Sequence, residues 1–138
     1  MKLGIAIQLS HTSPEEWAQK HRAHGLSAVV FPLDYTADQK LIDAYAQAAR
    51  EYGLVIAEVG AWCNPIAADP ALRAKNINFC LRQLELADYV GALCCVNIAG
   101  AAGEAWDGGY KENYAPETYE AIVESVRAII DAVKPKRA

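Results

Sequence analysis

The chain has 138 residues, 53% of them hydrophobic and 22% charged, the proportions of one ordinary folded domain with enough chain to bury a core. A formal net charge of −4 gives no basic footprint, which argues against nucleic acid and against anionic membrane surfaces as partners. No apolar run approaches the roughly 18 residues that span a bilayer, and the start, Met1-Lys2-Leu3-Gly4-Ile5-Ala6-Ile7, is too short in its apolar part for a secretory signal and reads as a strand.

That first strand is expected over residues 3–7. A helix follows from Ser13, because Ser13-Pro14-Glu15-Glu16 supplies a cap, a proline at the first helical position and a Glu at the third. Ser13 and Glu16 are expected to satisfy each other's backbone donors as a capping box, and Gly25 ends the helix. A second strand spans residues 28–31 and stops at Pro32. The second helix spans about residues 38–52, with Leu41, Ile42, Tyr45, Ala49 and Tyr52 on one stripe, and ends at Gly53. The third strand is 54–59. The third helix starts at Asp69-Pro70, runs to about Tyr89 with Leu72, Ile77, Leu81 and Leu84 inward, and ends at Gly91. The fourth strand is 93–98. The fourth helix starts at Pro116, carries Tyr119, Ile122, Val123, Val126, Ile129, Ile130 and Val133, and is stopped by Pro135.

Strands two to four are near-continuous apolar runs, as in sheets covered on both faces. Strands of this kind joined by helices form parallel βαβ units with right-handed crossovers. The expected fold class is therefore α/β, with four consecutive βα units in one domain, residues 1–138. Cys63, Cys80, Cys94 and Cys95 make no CxxC pair and read as buried, reduced thiols of a cytoplasmic protein.

The helix-to-strand joints are short. Two strand-to-helix joints are long: residues 60–68, with Trp62, Cys63, Asn64 and Pro65, and residues 99–115, with Gly100, Gly103, Trp106, Asp107, Gly108, Gly109, Tyr110 and Asn113. Both leave the C-terminal ends of strands, where parallel α/β folds bind ligands. Two tryptophans on polar, glycine-rich loops suit a small polar ligand with an apolar face; the alternative is that they cover the sheet end. Glu58, in an apolar run, can orient a substrate or take a proton, or else reach solvent or pair with a neighbour. Asn97 can bind a sugar hydroxyl or satisfy local backbone. His11, after the first strand, can bind a hydroxyl or shuttle a proton, or sit on a surface loop. His21 and His24 lack a cysteine or carboxylate cluster and read as a solvated helix face, not a metal site. Gly100-Ala101-Ala102-Gly103 is no phosphate loop, and neither GxGxxG nor GxSxG occurs.

The segment Glu58-Val59-Gly60-Ala61-Trp62-Cys63-Asn64-Pro65 resembles the end of the third strand in the sugar isomerase/epimerase family, whose members form a xylose-isomerase-like TIM barrel. Asn97-Ile98-Ala99-Gly100, the following Gly/Trp-rich loop, the Asn113-Tyr114-Ala115-Pro116-Glu117-Thr118 helix start and Lys134-Pro135 are similar to the same family. The resemblance implies the N-terminal half of a (β/α)₈ barrel of typically ~250 residues or more. It implies metal-assisted proton transfer next to a carbonyl for the intact barrel, with a divalent ion of the Mn or Mg type held by later strands. The proton-transferring carboxylates would lie there as well. On this chain it implies no cofactor, no metal ligand and no assigned catalytic residue. The carried-over substrate-lining residues are Glu58, Trp62, Asn64, Asn97 and Trp106, with His11 added from its place at the same end. The chain alone is expected to have little activity. It is expected to bind a small polar ligand such as a sugar, and to pair as a homodimer or with a complementary C-terminal half-barrel, because four strands leave open edges and an uncovered face. The alternatives are a non-catalytic sugar-binding or assembly module and a small flavodoxin-like domain, which needs a reversed strand order.

Overall fold

The computed structural model describes residues 1–6 and 9–138. Among them are four α-helices and a three-stranded parallel sheet in the order β1-β2-β3. Helix α1 (Pro14–Ala23) begins as expected: Ser13 Oγ accepts from Glu16 N at 3.1 Å. The reciprocal half of the cap differs. Glu16 Oε2 accepts from Thr12 N and from the Thr12 hydroxyl, both at 2.7 Å, because Thr12 offers two donors where Ser13 would offer one. The same carboxylate pairs with Lys20 at 2.9 Å.

β1 (Ala28–Val30), β2 (Val55–Ala61) and β3 (Cys94–Asn97) pair in chain order, the sequence of neighbours that a barrel requires. A doubly wound sheet would reverse after its first strand. Between Val29↔Ile56 and Val30↔Glu58, β2 carries one extra residue, Ala57, a bulge that bends the strand and re-aims the side chains beyond it. Ile56 and Val59 thereby both reach the buried core, and Glu58 turns to the other face.

Helix α2 (Gln39–Glu51) packs on β2, and α3 (Pro70–Val90) packs on β2 and β3. α1 lies against α2, and α4 (Pro116–Val133) against α3. The main core between helices and sheet holds Trp17, Val29, Phe31, Tyr45, Ile56 and Val59. Each large apolar side chain buried there contributes about 1.5–3 kcal/mol. Tyr45 lies edge-on to Trp17, with ring centroids 5.4 Å apart, and to Phe31, at 6.5 Å, a favoured arrangement of aromatic quadrupoles. At the end of α3, Gly91 takes φ +73°, a left-handed cap that glycine adopts without a Cβ clash.

Several expectations need correction. Residues 3–6 form no regular strand, and Ile7, the end of the expected first strand, lies outside the described residues. Leu3 still marks where that segment runs: its carbonyl accepts from Ser27 N at 2.8 Å and from Ala28 N at 3.0 Å. The segment lies exposed beside β1, and among the described residues its backbone bonds are made at Leu3. Leu41 and Leu72 point to solvent; each falls at the margin of its helix's apolar stripe. His21 is not on a solvated face: it is buried, with Nδ1 donating to the Trp17 carbonyl at 2.7 Å and its ring edge-on to the Trp17 indole. Cys94 is exposed, Cys63 and Cys95 are half-buried, and of the four thiols Cys80 is the buried one. On α4, Ser125 and Ile129 are buried against the body, while Tyr119, Val123 and Ile130 are exposed.

Candidate functional site

Beyond the bulge, β2 alternates cleanly. Val59 and Ala61 are fully buried toward the helices, so Glu58 and Gly60 face the opposite side, across from Cys94 and Val96. Gly60 is needed there. A Cβ at Gly60 would overlap the Trp62 indole at Nε1, so the missing side chain lets that ring fold back over the strand. Glu58 and the Trp62 ring thus share the sheet face that the helices leave uncovered. Glu58 is half-buried, Trp62 is 54% exposed and Trp106 42%.

The two long loops are fastened by Asn64. Its Nδ2 donates to Ala101 O at 2.7 Å, and its Oδ1 accepts from Ala101 N at 3.2 Å and from Ile66 N at 3.1 Å. Asn76 of α3 donates to the Asn64 carbonyl at 2.8 Å. The second loop builds a small core of its own around Tyr110. Gly103 and Gly108 pack against the Tyr110 ring so closely that neither has room for a Cβ, and its hydroxyl accepts from Ala105 N at 2.9 Å. Asn113 closes the loop by accepting from Ala102 N and donating to Gly108 O. Gly103 and Gly108 therefore make room for a tyrosine.

Between these loops and the start of α3 lies a cleft of about 640 Å³, lined by Trp62, Cys63, Asn64, Asn76, Glu104 and Trp106 among others. Of the six residues singled out from sequence, the fold brings Trp62, Asn64 and Trp106 to this cleft and sets Glu58 on the adjoining strand face. Asn97 lies apart. It pairs in register with Ala61, on the helix side, and lines a different groove, of about 480 Å³, with Leu84, Cys95, Val126 and Ile129. Its Oδ1 is buried with no hydrogen-bond partner among the described residues. His11 is also apart: Nε2 lies 2.8 Å from the Tyr45 hydroxyl and Nδ1 2.6 Å from the Leu9 carbonyl, so both ring nitrogens are engaged. Cys63, Asn76 and Glu104 are cleft residues that sequence reasoning did not single out as site residues. For Asn76 the available signal was its place in the first turns of the helix that follows the Trp62 loop.

Among the described residues no three His, Cys, Asp or Glu side chains converge as a metal-ligand set. A divalent-ion centre of the kind the resemblance implies is not built from these side chains.

The family described as "Xylose isomerase-like TIM barrel" matches residues 14–137. The chain belongs to the xylose isomerase-like TIM-barrel family. Solved structures agree on the fold. An Escherichia coli 3-keto-D-glucoside 4-epimerase in its apo form superposes with a TM-score of 0.71 at 17% identity, covering 97% of this chain and 53% of that one. A D-psicose 3-epimerase crystallised with D-fructose gives 0.71 at 16% identity, over 97% and 49%. A putative xylose isomerase from Rhodospirillum rubrum gives 0.68 at 18% identity, over 96% and 49%. This xylose isomerase-like chain thus spans about half the length of the solved relatives it matches, as half of the barrel. A sequence comparison with curated proteins found no match.

Proposed function

We propose that this chain supplies the N-terminal half of a sugar isomerase or epimerase barrel and lines the floor of its substrate site. The observation that carries the reading is the cleft that Trp62 and Trp106 line, on the loops that leave the C-terminal ends of β2 and β3, in a chain whose fold matches half of several sugar epimerases. In this reading the indole faces of Trp62 and Trp106 pack against the apolar C–H surface of a sugar. Glu58 accepts a hydrogen bond from a hydroxyl beside the reacting carbon, holding the substrate for proton transfer next to its carbonyl. Asn64 has spent its amide on Ala101 and Ile66, so it positions the loops. His11 holds the segment before α1 to Tyr45 of α2. The carboxylates that move the proton, and the ligands of any Mn or Mg ion, come from outside these residues.

The same reading gives the chain a partner. Among the described residues β3 pairs with β2 alone, and Leu93, Tyr119, Val123 and Ile130 are exposed. Unpaired edges and contiguous apolar surface favour association. A complementary C-terminal half-barrel, or a second copy of this chain, covers them. Among the described residues no helix is long and apolar enough to cross a membrane; the free thiols suit a reducing cytoplasm.

The test is an assay of the pure chain, with Mn or Mg supplied, on ketoses, sugar phosphates and inositol derivatives, following exchange of the carbon-bound proton with deuterated solvent. No exchange is expected from the chain alone. Robust turnover by the chain alone would overturn the division of labour proposed here.

A further inference from the structure

Cys63, which lines the cleft, is in contact with a second thiol behind it. Cys63 leaves the end of β2, Cys80 sits on the inward face of α3, and their sulfurs are 3.4 Å apart. The surroundings already hold the two segments together. Cys63 Sγ donates to Asn76 O at 3.6 Å, Asn76 Nδ2 donates to Asn64 O at 2.8 Å, and Arg73 Nε donates to Ala67 O at 2.7 Å. One face of α3, at positions 73, 76 and 80, thus clamps residues 63–67. A disulfide needs a sulfur separation of about 2.05 Å, a short closure for two segments docked this way. Access is asymmetric: Cys63 lines the cleft, whereas Cys80 is 2% exposed.

We propose that Cys63 and Cys80 are a peroxide-oxidisable dithiol whose disulfide locks the Trp62–Asn64 loop onto α3. Cys63 is the attacking thiol and Cys80 the resolving one. The Cys63 thiolate sulfur attacks one oxygen of hydrogen peroxide; an S–O bond forms, the O–O bond breaks, and hydroxide leaves and is protonated to water. The sulfur, now a sulfenic acid, is attacked by the Cys80 sulfur. The S–S bond forms, the S–O bond breaks, and a second water leaves with the Cys80 proton. In sum, two thiols and one peroxide give one disulfide and two waters. The hydrogen bond from Cys80 holds the Cys63 thiol below its ordinary pKa, and that same bond, with burial, pushes Cys80 up. The roles follow from this order as well as from access. The inference does not depend on what the cleft binds.

The experiment is peroxide treatment of the full chain, alkylation of the remaining thiols after unfolding, and peptide mapping by mass spectrometry. The expected product is a Cys63–Cys80 cross-link, about 2 Da lighter than the dithiol, with Cys94 and Cys95 alkylated, and it is reversed by a dithiol reductant. In Cys80→Ser, Cys63 is expected to accumulate as a sulfenic acid that a cyclic diketone traps. Should that variant fail to fold, the cross-link map of the unmodified chain decides alone. Absence of the Cys63–Cys80 link, whatever else is oxidised, overturns the proposal.

Discussion

Asn64 and Ala101 meet edge to edge, amide against backbone, with Nδ2 to O at 2.7 Å and N to Oδ1 at 3.2 Å. This pair joins the loops after β2 and β3, and Asn64 is buried as it does so. Asn64→Leu keeps the branched shape and heavy-atom count and removes every side-chain bond, leaving Ala101 N, Ala101 O and Ile66 N without these partners. Unsatisfied buried groups cost roughly 1–3 kcal/mol each. A loss of about 3 kcal/mol is expected in urea unfolding, with the midpoint lowered and the slope unchanged.

Two glycines of the second loop are expected to respond in opposite ways. Gly100 has φ +108°, and a Cβ there would sit 2.5 Å from both Asn64 Oδ1 and Ile66 Cγ1. Gly100→Ala is expected to cost about 2 kcal/mol or more through strain and overpacking. Gly109 has open space around its missing side chain and no positive φ, so Gly109→Ala is expected to stay within about 0.5 kcal/mol of the parent. Thermal unfolding of the two variants side by side checks the contrast.

The ionised form of Glu16 is favoured by its hydrogen bond with Lys20 and then by those from Thr12, which lower its pKa from 4.5 to about 2. The folded value lies below the unfolded one, so the contribution is complete above pH about 4.5 and is lost as pH falls toward 2. The stability difference between the parent and Glu16→Gln should therefore shrink across that interval and be constant above it. Urea midpoints measured from pH 2 to 7 read this out. The group is exposed, so added salt should reduce the difference throughout.

Asn97 Oδ1 has no donor among the described residues, and it sits at the end of β3. Asn97→Leu replaces an unpaired polar group by an apolar one in a groove lined by Leu84, Val126 and Ile129. The isolated chain is expected to gain about 1 kcal/mol. If the completing half supplies a donor, the same substitution weakens the assembled barrel. Unfolding of the isolated variant and its association with a completing half-barrel are the two readings to compare.

The helices and the central strands were legible because their signals are local. The Ser13 cap, the Asp69-Pro70 start and the glycine stops lie within a few residues of the boundaries they set, and α1, α3 and α4 begin where these signals place them. The first strand was not legible to the same degree. Its apolar residues promise a strand, but strand structure depends on neighbours, and among the described residues the backbone bonds of residues 1–6 are made at Leu3. In the site, Trp62 and Trp106 declared themselves as aromatics on polar loops. The extra residue in β2 did not, since nothing local distinguishes Ala57 from its neighbours, yet it aims Glu58 away from the helices. Asn97 looked equivalent to Glu58 at a strand end. One step of strand register, set by pairing with β2, put it on the other face.

The sugar-floor reading is tested most directly by titrating D-fructose or D-psicose into the metal-free chain and following the three indole N–H resonances. Trp17 is buried in the core and serves as the internal control. Saturable shifts at Trp62 and Trp106, with Trp17 unmoved and the response reduced in Glu58→Gln, are the expected result. No saturable shift at either exposed tryptophan, or an equal drift of all three, would contradict it.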